Sequence, residues 1–381
     1  PCPPVERWCP ASVPFPATTT KGFDTMDVGI LMPFASDGWP DITDSQVYDE
    51  ELGLALMAEE LGFDVAWAAE HHFFGYSFCP DNTQLLAYLA GRTTRMDVGT
   101  AAIIMPWHDP LRVAERVALL DNVAKGRLRL GVGRGLSRRE YAPFSGIEMD
   151  ESRGRYDEGT ALLLDALRTG FMEGEGKYFN QPRVEIRPRP ERSFDDRLYC
   201  VASSDDSVDA AARFGGRMTM FADRAWEHRM PSITRYRELF REFHGREAPT
   251  VMTADFCLCL PDADRAAELA HKHMGTYLGS LLEHYEVMGD HFAVTEGYDA
   301  YAKAAEVLRR VGESGFLQMF MKATAWGTPD QILATLEQRR ETIGSFEFTT
   351  AFRYGGLPYD VAQESMRLFA SEVLPVVKTW D

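Results

Sequence analysis

The chain has 381 residues, 45% hydrophobic and 12% aromatic, enough for a sizeable core in one large domain or two average ones. A formal charge of −18 argues against a nucleic-acid or anionic-membrane partner, because both require a basic surface. No apolar run approaches the length that spans a bilayer. The six cysteines contain no Cys-x-x-Cys pair, so no metal site is expected and a reduced, cytoplasmic protein is.

In chain order, residues 1–25 come first. They are rich in Pro and Thr, lack an apolar signal core, and are expected to form an arm outside the fold. Residues 26–381 are expected to form a single domain. Residues 26–32 read as a first strand, closed by Pro33. Residues 48–61 show helical spacing with Gly62 as the cap, and residues 64–68 are the second strand. A helix over 83–92 and a third strand over 97–104 follow. Pro110 suits the first position of a helix over 111–123. The fourth strand, 127–130, runs into Gly131-Val132-Gly133-Arg134-Gly135-Leu136, and 151–167 is helical.

The stretch 177–190 reads as an extended excursion. The arginines between 183 and 197, broken by prolines and acids, read as a solvated loop rather than a binding patch. Strands follow at 197–202, 216–221 and 250–260, with helices after 203 and over 226–243. Cys257 and Cys259 share one strand face and should be packed. Residues 263–289 are helical, 290–297 are polar and aromatic without a period, and a further helix runs to 310. This surplus resembles a lid. A helix to 340, a strand over 345–350 and a final helix through 374 complete the alternation. The pattern predicts an α/β protein, a TIM-like (β/α)8 barrel with a segment inserted between its seventh and eighth units.

In such a barrel the ligand face lies at the strand C-termini. Glu70-His71-His72-Phe73 follows the second strand, and adjacent residues face opposite ways, so one imidazole should reach the mouth while the other packs. Histidine suits proton transfer near neutral pH, and a hydrogen-bonded structural pair is the alternative. The glycine run lets a ligand approach the backbone, and Arg134 can fork onto a phosphate, unless it is a surface residue beside a tight turn. Ser203, Ser204 and Ser207 stand where the fifth strand enters its helix, a place for a phosphate or a simple cap. Arg153 could add charge there. Gly99-Thr100-Ala101-Ala102 leaves room for a flat ring or for close packing. Met319-Phe320-Met321 and the Phe346/Phe348 alternation read as core. Phe73, Phe74 and Trp107, with Trp39, Tyr76 and Phe78, suggest an aromatic mouth for a large apolar ligand.

These motifs in this order resemble the bacterial luciferase-like flavin monooxygenases, nearest to the luciferase α-subunit branch. The resemblance runs from Met26 almost to the C-terminus. It rests on the 58–64 segment, Glu70–Phe73, Gly99–Ala102, the 110–115 and 126–127 segments, Gly131–Leu136, residues 149–153, Gly327-Thr328-Pro329 and the 366–375 segment. It implies a barrel binding reduced FMN, supplied by a separate reductase, that uses dioxygen through a flavin hydroperoxide to oxygenate an apolar organic substrate. A polyketide, another natural-product intermediate or an aldehyde would fit. By the same resemblance His71 is catalytic, with Glu140 at an acidic position nearby. Arg134, Arg153 and the Ser203–Ser207 turn would hold the phosphate, Ala102, Gly133 and Leu136 would line the isoalloxazine, and the protein would be a homodimer.

Three departures stand out. Gly133 replaces the family's cysteine beside the flavin, Ser203-Ser204-Asp205-Asp206 loses a glutamate and puts acids near the phosphate, and Asp109 replaces a histidine. Light emission does not follow from the resemblance. A deazaflavin-dependent oxidoreductase on the same barrel and a non-catalytic flavin-binding subunit are the alternatives; Arg134 and Arg153 count against the second.

Overall fold

The computed structural model describes residues 26–289, 291–294 and 299–380. The expected N-terminal arm, and positions 290 and 295–297 of the expected lid, lie outside the described residues.

Eight strands make the barrel: β1 (Val28–Met32), β2 (Val65–Ala68), β3 (Asp97–Thr100), β4 (Leu128–Gly133), β5 (Leu198–Val201), β6 (Arg217–Phe221), β7 (Val251–Phe256) and β8 (Phe346–Ala351). Each pairs in parallel with its successor, and β8 pairs with β1, so the sheet closes. Helices cover its outer face, which is why most strands are buried on both sides and read as apolar runs. The helices are α1 (Asp44–Leu61), α2 (Asn82–Ala90), α3 (Pro110–Val123), α4 (Arg138–Tyr141), α5 (Ser152–Thr169), α6 (Asp205–Phe214), α7 (Met230–His244), α8 (Ala263–His284), α9 (His291–Val294), α10 (Asp299–Ala323), α11 (Pro329–Ile343), α12 (Tyr359–Leu368) and α13 (Leu374–Val377).

Local chemistry sets the element ends. Thr43 and Gln46 form a capping box at α1, Gly62 closes it in the left-handed region, and Asp109 caps α3 ahead of Pro110. The insertion between the seventh and eighth units consists of α8, α9 and α10.

Several elements differ from the sequence reading. β4 extends through Gly131 to Gly133, so half of the glycine run is strand rather than turn. A Cβ at Gly131 would collide with the Thr100 carbonyl, so glycine there permits the close approach of β3. The expected third strand is interrupted after Thr100 by a cis Ala101–Ala102 peptide and resumes as Ile103–Ile104. The Asn82 side-chain amide donates to both the Ala68 and Ala102 carbonyls at 3.2 Å, tying that break to β2. The excursion is an antiparallel hairpin of Phe171–Glu175 and Asn180–Glu185. Arg197 departs from the solvated run: it is buried and pairs with Asp121 at 2.6 Å while donating to the Gly126 and Leu128 carbonyls. The helix expected to stop at 310 continues to Ala323 across a kink at Gly312. Phe320 and Met321 are core residues but on a helix, with Met319 exposed, whereas Cys257, Cys259, Phe346 and Phe348 are buried as expected.

Inside the barrel the Trp67 ring lies across Gly99, where a Cβ would fall within the indole. At the strands' N-terminal end Arg129 reaches Asp27 at 2.6 Å, Asp97 at 2.9 Å and the Tyr199 hydroxyl at 3.0 Å. Arg217 and Glu347 meet at 3.3 Å beside them. This network forms a charged floor. The apolar, glycine-rich end opposite it is the mouth.

Candidate active site

The loop after β2 delivers Glu70, His71 and His72, and the single turn α4, just beyond β4, delivers Glu140. His71 Nδ1 lies 3.0 Å from Glu140 Oε1, and the His72 amide donates to the same oxygen at 2.7 Å. His284, the last residue of α8, places Nε2 3.5 Å from Glu140 Oε2. Burial alone would raise the Glu140 pKa, but the His71 charge and hydrogen bonds from His284 and His71 hold it down at about 2. Burial pushes the His284 imidazole below its ordinary value. An anionic carboxylate can only accept, so His71 Nδ1 carries the hydrogen and Nε2 is left to move a proton. One ligand atom from each of His71, Glu140 and His284 falls within 4.8 Å of the others, a spacing that would also admit a small cation. Glu140 Oε1, however, already serves two donors.

His72 turns the other way, as strand alternation predicts. It is buried against Trp107, Phe144 and Phe73 and approaches Glu70 at 3.4 Å. Glu70 is buried too; His108 at 2.6 Å and the Ile104 amide at 2.9 Å help carry its pKa below the usual range against the cost of desolvation. Glu70 thus pins the loop to the segment after the cis peptide.

The other face of the mouth is a shelf. A Cβ on Gly133 would meet Ile104 Cδ1 at 3.3 Å, Ala102 Cβ at 3.4 Å and Val201 Cγ2 at 3.8 Å, so Gly133 keeps an apolar surface flat. Leu136 packs beside it with Ile104, Trp107, Tyr141 and Met149. At the shelf's edge the Arg153 guanidinium is mostly buried, and its Nε and Nη2 have no hydrogen-bond partner among the described residues. Burial first, then the neighbouring charge of Arg134, lowers the Arg153 pKa; Asp157 stands 3.6 Å away. Two crowded guanidinium groups, with unused donors on Arg153, describe an anion site. In the serine turn the amide donors have an internal partner. The Ser207 hydroxyl accepts from the Ser203 and Ser204 amides at 2.9 and 2.8 Å and lies 3.1 Å from the Ser204 hydroxyl, so the turn closes on itself.

The aromatic residues divide. Phe73 is 58% exposed and has a positive φ, projecting at the rim. Phe74 lies under Arg139, 4.1 Å from guanidinium carbon to ring centre, and edge-on to His284. Trp107 is buried and stacks on Phe144, a wall of the mouth. Trp39 faces elsewhere: its indole donates to the Leu357 carbonyl and Arg353 covers its ring. Beside His284 opens a cleft of about 320 Å³, lined by Phe74 and Tyr76 together with Asp37, Arg139, Ser280 and Glu283, more polar than an aromatic mouth implied. His284, which reaches Glu140 from a distant helix, carries no local signal of its role.

Known proteins resemble this chain in sequence and in fold. The profile described as luciferase-like monooxygenase matches residues 26–345. The alkanal monooxygenase alpha chain of Photorhabdus luminescens is 27% identical over 353 residues, covering 89% of this chain and 94% of that one. That of Photobacterium leiognathi is 26% identical, covering 89% and 96%. Among solved structures, the monooxygenase RslO1 of Streptomyces bottropensis superposes with a TM-score of 0.77 at 26% identity, covering 92% of this chain and 99% of the other. A coenzyme F420 dependent reductase from Methanopyrus kandleri, at 18% identity and a TM-score of 0.64 (93% of this chain, 100% of that one), shares the barrel.

Proposed function

The chain belongs to the luciferase-like monooxygenase family, and from that membership we propose that it is the oxygenating component of a two-component system. It takes reduced FMN from a separate reductase and uses dioxygen to oxygenate an apolar organic substrate, such as a polyketide or other natural-product intermediate or an aldehyde. The observation that carries the reading is the Arg153 guanidinium, buried with two unused donor nitrogens beside Arg134 at the edge of a flat apolar shelf.

Arg153 and Arg134 hold the FMN phosphate, with the Ser203, Ser204 and Ser207 turn bordering it. Ala102, Gly133 and Leu136 flank the ring system. When bound, reduced FMN supplies the electrons that activate dioxygen. The Trp107–Phe144 stack and Tyr141 keep water from that surface. His71, held through Nδ1 by Glu140, gives or takes the proton at Nε2. Phe73 and Phe74 meet the substrate at the rim. Leu119 and Val123, one turn apart on α3, are exposed apolar side chains that suit contact with a second copy in a homodimer. The four described cysteines are free and buried, which suits a reducing cytoplasm. No described helix is long and apolar enough to cross a membrane.

Anaerobic titration with reduced FMN, followed by mixing with dioxygen and observation of the bound flavin's absorbance, tests the reading. Saturable binding and an oxygen reaction altered in His71→Ala support it. Binding of a deazaflavin with no affinity for reduced FMN would replace it with a deazaflavin-dependent oxidoreductase. Affinity for neither would leave a non-catalytic barrel.

A further inference from the structure

Glu140 has two oxygens with different duties. Oε1 takes the His71 imidazole and the His72 amide, both from the loop after β2. Oε2 faces α8, where His284 is 1% exposed and stacks flat on Tyr76, with ring centres 4.5 Å apart and planes at 13°. Neither ring nitrogen of His284 has a closer hydrogen-bond partner among the described residues than this 3.5 Å approach to Glu140. A second tie runs alongside: Ser137, the N-cap of α4, donates its hydroxyl to the His284 carbonyl at 3.3 Å. The end of α8 therefore grips α4 by both main chain and side chain.

We propose that His284 is a positioning residue, donating through Nε2 to Glu140 Oε2 and so fixing the carboxylate on which His71 rests. The inference rests on His71 being the proton-handling group of the function above. The stack on Tyr76 sets the ring plane and the carboxylate takes the hydrogen. With Oε2 satisfied, Glu140 is a weaker acceptor for His71 and cannot swing about its terminal torsion. Without that donor, the same negative charge falls more fully on His71 and raises its proton affinity. The groups facing His284 are Glu140 and Arg139 from α4, His71 and Tyr76 from the loop after β2, and Tyr285 on its own segment. Glu140 is the carboxylate among them, so it decides which nitrogen of His284 bears the hydrogen. Because His284 also lines the 320 Å³ cleft, a ligand seated there would press on the far side of this pair.

The test is histidine-labelled NMR on the protein free of cofactor and substrate, so its outcome is separate from whether the enzyme oxygenates anything. In the unmodified protein His284 should be the neutral Nε2–H tautomer; an Nδ1–H tautomer with a bare Nε2 toward the carboxylate overturns the proposal. His284→Phe keeps the stack and removes the donor. It should move the His71 titration midpoint up by roughly half a pH unit or more, and His284→Asn should bring it back toward the original value. In a Glu140→Gln background the Phe substitution should no longer move it. An unmoved His71 midpoint in a folded His284→Phe protein overturns the proposal. If that variant does not fold, the tautomer in the unmodified protein still decides.

Discussion

The guanidinium groups of Arg134 and Arg153, one from the end of β4 and one from the first turn of α5, lie close enough that the charge of the first depresses the pKa of the second. Like charges brought together in a partly buried corner oppose folding, so an anion that neutralises them binds with their relief as part of its affinity.

Arg153→Met should therefore weaken reduced FMN binding by about 10- to 100-fold, the worth of one charge-assisted hydrogen bond at roughly 1.5–3 kcal/mol. Thermal stability without the cofactor should be unchanged or slightly higher. Isothermal titration and melting curves on the same preparation check both. Equal binding by the variant would remove the phosphate from this corner.

Glu140→Gln keeps the shape of the site but replaces a buried carboxylate with a neutral amide, so His71 loses the charge that anchors it. Turnover should drop by about 10²- to 10⁴-fold, comparable to His71→Ala, while the affinity for FMN stays near the original. Single-turnover measurements at saturating flavin separate the two quantities. A parallel loss of binding would instead mean that Glu140 shapes the pocket.

Glu51 of α1 is fully buried beside Arg353, and burial outweighs that pairing to raise its pKa to about 7. Folded-state affinity for the proton exceeds that of the unfolded chain, so the stability from this group is complete below pH 4.5 and is lost as pH rises through 7. Glu51→Gln should flatten the stability curve in that window, measured by urea denaturation from pH 4.5 to 8. A slope identical to the parent would assign the pH dependence elsewhere.

Gly99→Ala places a methyl inside the Trp67 ring, in the middle of the barrel. The strand cannot retreat without breaking its register with β2, so a destabilisation of about 1–3 kcal/mol is expected. Chemical denaturation with intrinsic tryptophan fluorescence would show it, and Gly99→Ala paired with Trp67→Leu should recover part of the loss.

The eight strands were legible because a buried parallel sheet writes itself as short apolar runs, and helix ends such as Gly62 and Pro110 carry their own signals. What eluded the sequence depends on contacts between distant segments. Gly131 counts as strand because it pairs with Tyr199 of β5, and only glycine fits there beside the Thr100 carbonyl. Arg197 leaves the surface because Asp121 offers a buried partner. His71, Glu140 and Arg153 could be singled out by motif and resemblance. His284 could not: an isolated histidine near a helix end has no local feature marking its partner. The serine turn was legible as a phosphate site or a cap, while the bond from its amides to the Ser207 hydroxyl is a matter of side-chain placement.

The floor of Arg129, Arg217, Glu347, Asp27, Asp97 and Tyr199 closes the barrel with paired charges. Above it Trp67, Tyr199 and Met252 fill the interior, so the barrel is plugged from below and opens only at the mouth. Nothing can exit behind a molecule seated above it, so arrivals and departures must queue. Spent flavin held at the shelf would then bar the next reduced one, and oxidised FMN is expected to act as a competitive inhibitor of loading.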